Sequence, residues 1–309
     1  MKKSVKKIIP MQNGGQMEVD VVKGSSAKVA LNVVYYVFGA VLSLFFLFPL
    51  IYMLAYSTKS DSSIAASAGT FAMFLPDFTN LGAAFDNYKT VFIDYKIGEY
   101  ALNSLRYAII AIVLNVIING LAGYVLAKFR IPGSKFFTFI ILFLIVVPVE
   151  TSIIPLFMVV KRMLGFKGVA NILGIILPAA ISVFNVFLFM QFFQSIPKDY
   201  LEAARMDGAS NLKIFFKIIL PLSKPIVATV SVFCFIGVWN DYLWPTMLLV
   251  DNKDLLPIQA ALTTIRGEKA LSEGAKMASL VITSIPIFIV YIAAQKYIVK
   301  GFGTAGLKV

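Results

Sequence analysis

Apolar residues fall in six long runs separated by polar stretches, at 31–56, 101–127, 136–160, 169–193, 225–250 and 278–299. A helix of about 20 apolar residues crosses the roughly 30 Å hydrocarbon layer of a bilayer. The pattern therefore predicts an all-α fold, a polytopic transmembrane bundle of six spans. Several spans carry prolines: Pro49 in the first, Pro148 and Pro155 in the third, Pro178 in the fourth. Within a membrane such prolines kink a helix more often than they end it. Three segments follow: a basic arm at 1–30, a transmembrane domain at 31–300 and a short tail at 301–309.

Composition agrees with this reading. Of the 309 residues, 59% are hydrophobic and only 14% charged, too few charges to cover a soluble surface of that size. The net charge of +12 would point to nucleic acid on a soluble protein, but here its distribution is what matters. With the N-terminus in the cytoplasm, Lys and Arg are more numerous in the cytoplasmic segments than in the outer ones. Both termini are therefore expected inside a cell membrane crossed several times, with the bilayer and no nucleic acid as partner. Lys161, Arg162 and Lys167 run against that rule. The basic N-terminal stretch is separated from the first apolar run by polar residues, so it does not read as a cleavable signal.

Enzymatic chemistry is poorly provided for. The chain has no histidine, the commonest general base, and one cysteine, so no metal site and no intrachain disulfide are expected. It has no Gly-x-x-x-x-Gly-Lys-Ser/Thr phosphate loop. The chain is expected to have no catalytic residue and no cofactor of its own, so any step driven by ATP needs a partner.

The most informative polar stretch lies at 195–224, between the fourth and fifth spans. Pro197 suits a first helical turn, and the following residues to Asp207 are good helix formers. Gly208 can stop that helix and Ser210 can cap another. The second helix sets Lys213 and Lys217 on one face, beside Leu212, Phe215, Phe216 and Ile219, and Pro221 helps end it. Two short helices at a glycine bend are the expected result. The residues alone leave two readings open: an amphipathic loop resting on the bilayer, or a handle for a soluble partner.

Glu202-Ala203-Ala204, three residues, Gly208, nine residues, then Ile218-x-Leu220-Pro221 resembles the EAA motif of permease subunits of ATP-binding-cassette importers. Leu102-Asn103-Ser104-Leu105, Trp239-Asn240-Asp241 and the tail from Gln295 to Lys308 resemble the carbohydrate branch, in particular the second permease of maltose-type systems. The tail departs by ending in Val309 where a glycine is usual. The resemblance implies a permease subunit of a binding-protein-dependent importer of a sugar or oligosaccharide, not itself an enzyme. Its partners would be a second, homologous permease, two cytoplasmic ATPase subunits that bind ATP and Mg, and an extracytoplasmic solute-binding protein. Glu202 would be the charged contact to the ATPase, Gly208 the bend, and Ala203 and Ala204 the close-packing surface, with Asp207, Ile218, Leu220 and Pro221 completing the coupling element. The outer loop at 251–277 would reach toward the binding protein. A permease for a non-sugar solute and an ion-coupled secondary transporter are the alternatives, the latter weakened by the lack of an internal repeat.

Charges inside spans usually face a cavity or a partner. Trp239, Asn240 and Asp241 offer an aromatic face and hydroxyl-binding groups for a sugar, or a brace between helices. Glu150 is a second candidate for the translocation path, and Arg106 can snorkel or pair with Glu150 or Asp241. Asn115, Asn119, Asn185 and Gln191 read as interhelical hydrogen-bond formers, and Gly120 and Gly123 as a packing face.

Overall fold

The computed structural model describes residues 4–10, 16–22, 26–267 and 271–305. The last residues of the tail, 306–309, lie outside them. The regular elements among the described residues are helical with one exception. Strands β1 (Ser4–Pro10) and β2 (Gln16–Val22) pair antiparallel, Ser4 opposite Val22 and Pro10 opposite Gln16. They lie in the arm at 1–30, and the bundle itself is all-helical as expected. Both segments are rich in β-branched residues and flank Asn13-Gly14, a hairpin signal hidden within a stretch notable for its charge.

The helices follow in chain order: α1 (Ser26–Ser57), α2 (Asp61–Ser67), α3 (Leu81–Lys89), α4 (Ile97–Lys128), α5 (Ser134–Val146), α6 (Ile153–Met158), α7 (Asn171–Ala180) and α8 (Val183–Gln194). Then come α9 (Asp199–Met206), α10 (Asn211–Ile214), α11 (Leu220–Leu222), α12 (Lys224–Asn240), α13 (Leu243–Leu248), α14 (Ile258–Arg266) and α15 (Glu273–Ala305). Three are long and apolar enough to cross a membrane unbroken: α1, α4 and α15. Pro49 and Pro286 sit inside α1 and α15 without ending them. Helix α15 also runs on to Ala305, past the expected start of the tail at 301.

The third expected run is bent by 93° between Ser134–Val146 and Val149–Met163. Val147, extended at φ −73° and ψ 121°, precedes Pro148, whose ring disfavours helical backbone in the residue before it. The fourth is bent by 42° between Gly168–Ala180 and Val183–Gln194, at Ile181 and Ser182 and not at Pro178. Pro178 has no N–H to give the carbonyl of Gly174, four residues back. Trp244 Nε1 donates to that carbonyl at 2.9 Å. The fifth run breaks after Asn240, and Asp241 Oδ1 accepts from Trp244 N at 3.3 Å to start α13.

Helix α4 is the axis of the bundle and packs on α7, α8 and α12, while α15 packs on α12 and α1. Its asparagines repair the break beside Ser182. Asn119 Nδ2 donates to Ala180 O at 3.0 Å, and Asn119 Oδ1 accepts from Ser182 N at 3.1 Å. Asn115 Nδ2 donates to Ala179 O at 3.3 Å and Asn115 Oδ1 accepts from Asn185 Nδ2 at 3.0 Å. The sequence reading of these three residues as interhelical bonds holds in the structure. Gly123 brings the helices into contact, since a Cβ there would overlap Phe189 and the backbone nitrogen of Met190.

The loops at 57–100 and, among the described residues, at 251–267 and 271–277 fold over one end of the bundle. Asn103 Nδ2 donates to the carbonyls of Asp254 and Leu256 at 2.8 and 3.2 Å, and Tyr107 Oη to Leu255 O at 2.8 Å. Ser104 Oγ accepts from Ile258 N at 2.7 Å. The Leu102-Asn103-Ser104-Leu105 motif thus clamps the second loop onto α4. Asn87 joins the two loops, donating to Ser57 O and Lys59 O at 3.1 and 2.8 Å and accepting from Ser272 Oγ at 3.2 Å. The buried ammonium of Lys59 donates to Ala72 O at 2.8 Å and Ser67 Oγ at 3.1 Å. Hydrogen bonds from Thr79 and Ser63 hold the half-buried Asp77 carboxyl down at about 2. Its contribution is present above the ordinary carboxylate value and is lost only as pH falls through that lowered one.

Asn119→Leu leaves Ser182 N–H and Ala180 C=O without their partner in an apolar interior. Each unpaired group costs about 1–3 kcal/mol. The detergent-solubilised variant is expected to unfold at clearly lower temperature than the parent, read by circular dichroism. An unchanged melting temperature would show that the break is held by something else.

Candidate functional site: an exposed elbow and a cavity beside the broken helices

At the end of the bundle away from the clamped loops, α9 and the helical stretch Asn211–Leu222 form the expected pair of short helices. The turn between them is a Schellman ending. Ala209 N donates to Ala204 O and Gly208 N to Arg205 O, both at 3.0 Å. Gly208 has φ +75°, where a side chain is strained although space is open around it. Ser210 Oγ accepts from Lys213 N at 3.4 Å and caps the second helix. That helix then meets α12 at 86°, with Ser223 buried in the corner.

The motif residues divide by face. Ala204 is buried with Leu201, Ile214, Phe215 and Ile219 against α4 and α8. Ile218 and Leu220 are half-buried. Glu202, Ala203, Asp207, Gly208 and Pro221 are exposed, beside Tyr200, Met206 and Leu212. Of the two alanines expected to pack closely, Ala204 packs within the chain and Ala203 stands open. Arg205 lies over the Phe129 ring at 5.8 Å and donates to Asn211 Oδ1 at 3.3 Å, tying the elbow to the end of α4. Lys128 Nζ, also at that end, donates to Ile196 O.

Phe215 is the seat of the elbow. It is fully buried, 5.5 Å from the Tyr124 ring and 6.4 Å from that of Phe193. A Cβ on Gly120 would lie 3.2 Å from its Cζ. The small face read from Asn119, Gly120 and Gly123 thus has two uses: Gly123 admits α8, and Gly120 admits the Phe215 ring. Sequence reasoning counted Phe215 only as apolar surface. Its position opposite a glycine of a different helix leaves no sequence-local signal.

A cavity of about 720 Å³ opens where the three breaks converge. Glu150, Asn185, Asn240, Asp241, Tyr242 and Trp244 line it, with Phe184, Phe233, Tyr107 and aliphatic residues. Glu150, Asn240 and Asp241 are therefore brought together as expected candidates for one path. Trp239 is not among them. It is buried, stacks on Phe235 at 5.4 Å and donates from Nε1 to Thr283 O at 3.0 Å, bracing α12 to α15. The reason is helical geometry: successive residues are turned by about 100°, so Trp239 and Asn240 cannot face the same way. Aromatic surface at the cavity comes instead from Tyr242, Trp244, Phe184 and Phe233. Arg106 lies exposed on α4, and among the described residues no ion pair joins it to Glu150 or Asp241.

Spanning helices interrupted at a cavity, joined to a projecting elbow at one end, define a membrane permease. The chain belongs to the family of inner membrane components of binding-protein-dependent transport systems, which residues 119–303 match. It is 32% identical over 251 residues to the diacetylchitobiose uptake system permease protein NgcG of Streptomyces coelicolor, covering 81% of this chain and 80% of that one. It is 30% identical over 262 residues to the arabinooligosaccharides transport system permease protein AraQ of Halalkalibacterium halodurans, covering 84% and 91%. Its fold is similar to a chain of a bacterial ABC transporter that imports the acidic polysaccharide alginate. The TM-score is 0.75 at 30% identity, over 90% of this chain and 100% of that one. Membership makes it a multi-pass transport subunit, in a family that works with a binding protein and an ATPase.

Gly120→Val puts a branched side chain where the Phe215 ring lies. Overpacking of this kind costs about 1–3 kcal/mol, concentrated at the elbow. Hydrogen exchange of amides 211–222 is expected to quicken in the variant while the amides of α15 stay protected. Uniform quickening across both would mean that the glycine supports the whole bundle.

Proposed function

We propose that this chain is one of two permease subunits of an importer for a sugar or oligosaccharide, with six spans and both ends in the cytoplasm. In this reading α1, α4 and α15, the bent pairs 134–163 and 168–194, and α12 with α13 are the six spans, and 195–224 is the cytoplasmic coupling loop. Two ATPase subunits dock there and hold the ATP and Mg, while a solute-binding protein docks on the clamped loops of the opposite face. The second permease covers the exposed apolar side of α1 and α5. The domain limits at 1–30, 31–300 and 301–309 follow from the same scheme, with α15 projecting into the tail.

The observation that carries the reading is the elbow. Its glycine bend has the backbone the motif requires, and Glu202, Ala203 and Asp207 stand free on its outer side. Its inner side is wedged into α4 and α8 through Phe215. Closure of the ATPases would push the free side, and the wedged side would carry that push to the two helices beside the cavity. The asparagine-repaired break in the span formed by α7 and α8 is a natural place for the resulting shift in access. Cargo is inferred from relatives named for diacetylchitobiose and arabinooligosaccharides and from the mixture of aromatic and hydroxyl-binding groups in the cavity.

Gly208→Val forces a β-branched residue into left-handed backbone, a strain of about 1–3 kcal/mol. In vesicles holding the whole transporter, uptake is expected to fall at least about tenfold while the ATPase subunits still hydrolyse ATP. Normal uptake would remove the elbow from the mechanism. Ser210→Cys, labelled by an impermeant maleimide from the outer side only, would overturn the topology.

A further inference from the structure

We propose that the cavity selects its solute by charge, favouring neutral and amino sugars and disfavouring those bearing carboxylate or phosphate. The proposal rests on reading the cavity as part of the sugar path. Its charged lining is made of acceptors. Glu150 and Asp241 are carboxylates, and no Lys or Arg lines the cavity among the described residues. The nearby bases belong to other surfaces. Arg106 is on the exposed face of α4. Arg266 and Lys276 line a separate hollow beyond Tyr242.

Asn185 provides an independent observation. It is 3% exposed and lines the cavity, and its amide nitrogen is taken up by Asn115 Oδ1 at 3.0 Å. That bond orients the amide, and Asn185 Oδ1 is left with no protein partner. A buried acceptor without a donor is costly, and a donor arriving with a ligand relieves the cost. Sugar hydroxyls and ammonium groups are such donors; carboxylates and phosphates are not. Two carboxylates in a space walled by Ile153, Leu156 and Phe233 repel an anion more strongly than they would in bulk water, and they attract an ammonium group for the same reason.

The test uses the assembled transporter in lipid nanodiscs without its binding protein, so that only the membrane site selects. Saturation-transfer NMR would compare three size-matched β-1,4-linked disaccharides, built from glucose, glucosamine or glucuronic acid. Glucose and glucosamine disaccharides are expected to bind, glucosamine the tighter, and the glucuronic acid disaccharide about tenfold more weakly than glucose. The double variant Glu150→Gln/Asp241→Asn should bring all three within about threefold of one another. Glu150→Gln alone, on an exposed turn, should narrow the gap part of the way if the double variant does not assemble. Equal binding of the glucuronic acid and glucose disaccharides by the parent would overturn charge selection and leave the sugar path standing. So would a ratio unmoved by the variants. Binding of none of the three would overturn the sugar path and charge selection together.

Discussion

Backbone polar groups exposed by broken helices must find partners inside an apolar medium, and the rest of this structure depends on how they do so. A helix crossing a bilayer satisfies its own backbone, and a broken one does not. Here the debts of one helix are met by side chains of its neighbours. Asn115 and Asn119 of α4 serve the carbonyls of Ala179 and Ala180 and the N–H of Ser182. Trp244 serves the carbonyl that Pro178 leaves without a donor. With those groups satisfied the fourth span can bend, and its break, together with those after Val146 and Asn240, borders the cavity.

The same economy explains why the elbow is firm. Its turn is closed by two backbone bonds and one serine cap, and its inner face is a wedge of rings. The motif is therefore divided between residues packed within the chain and residues left exposed on its outer side. Ala204 is of the first kind and Ala203 of the second, although they are adjacent. A motif read as a string does not separate the two roles; the helical turn between them does.

Much of this was legible in the sequence. Run length pointed to helices long and apolar enough to cross a bilayer, since a bilayer imposes its thickness on any helix that crosses it. The elbow was legible because capping and glycine chemistry are local: Gly208 and Ser210 act within a few residues of themselves. The interhelical role of Asn115, Asn119 and Asn185 followed from the cost of an amide in an apolar span. What stayed hidden depends on neighbours distant in the chain. Trp239 reads equally as a sugar platform or as a brace between helices, and only its contact with Thr283 shows it to be the brace. The bend in the fourth span was expected at Pro178 and lies at Ile181 and Ser182, because Trp244 repairs the first site and Asn119 caps the second. The N-terminal hairpin was obscured by its charge.

Helix α4 runs unbroken for 32 residues, about 48 Å at 1.5 Å per residue. Near one extremity it grips the 253–258 loop through Asn103, Ser104 and Tyr107; toward the other it accommodates Phe215 at Gly120. A single stiff rod thus takes part in both ends of the bundle. Linkage then demands reciprocity: whatever free energy an event at one extremity imposes on the rod's position, an event at the other must feel in equal measure.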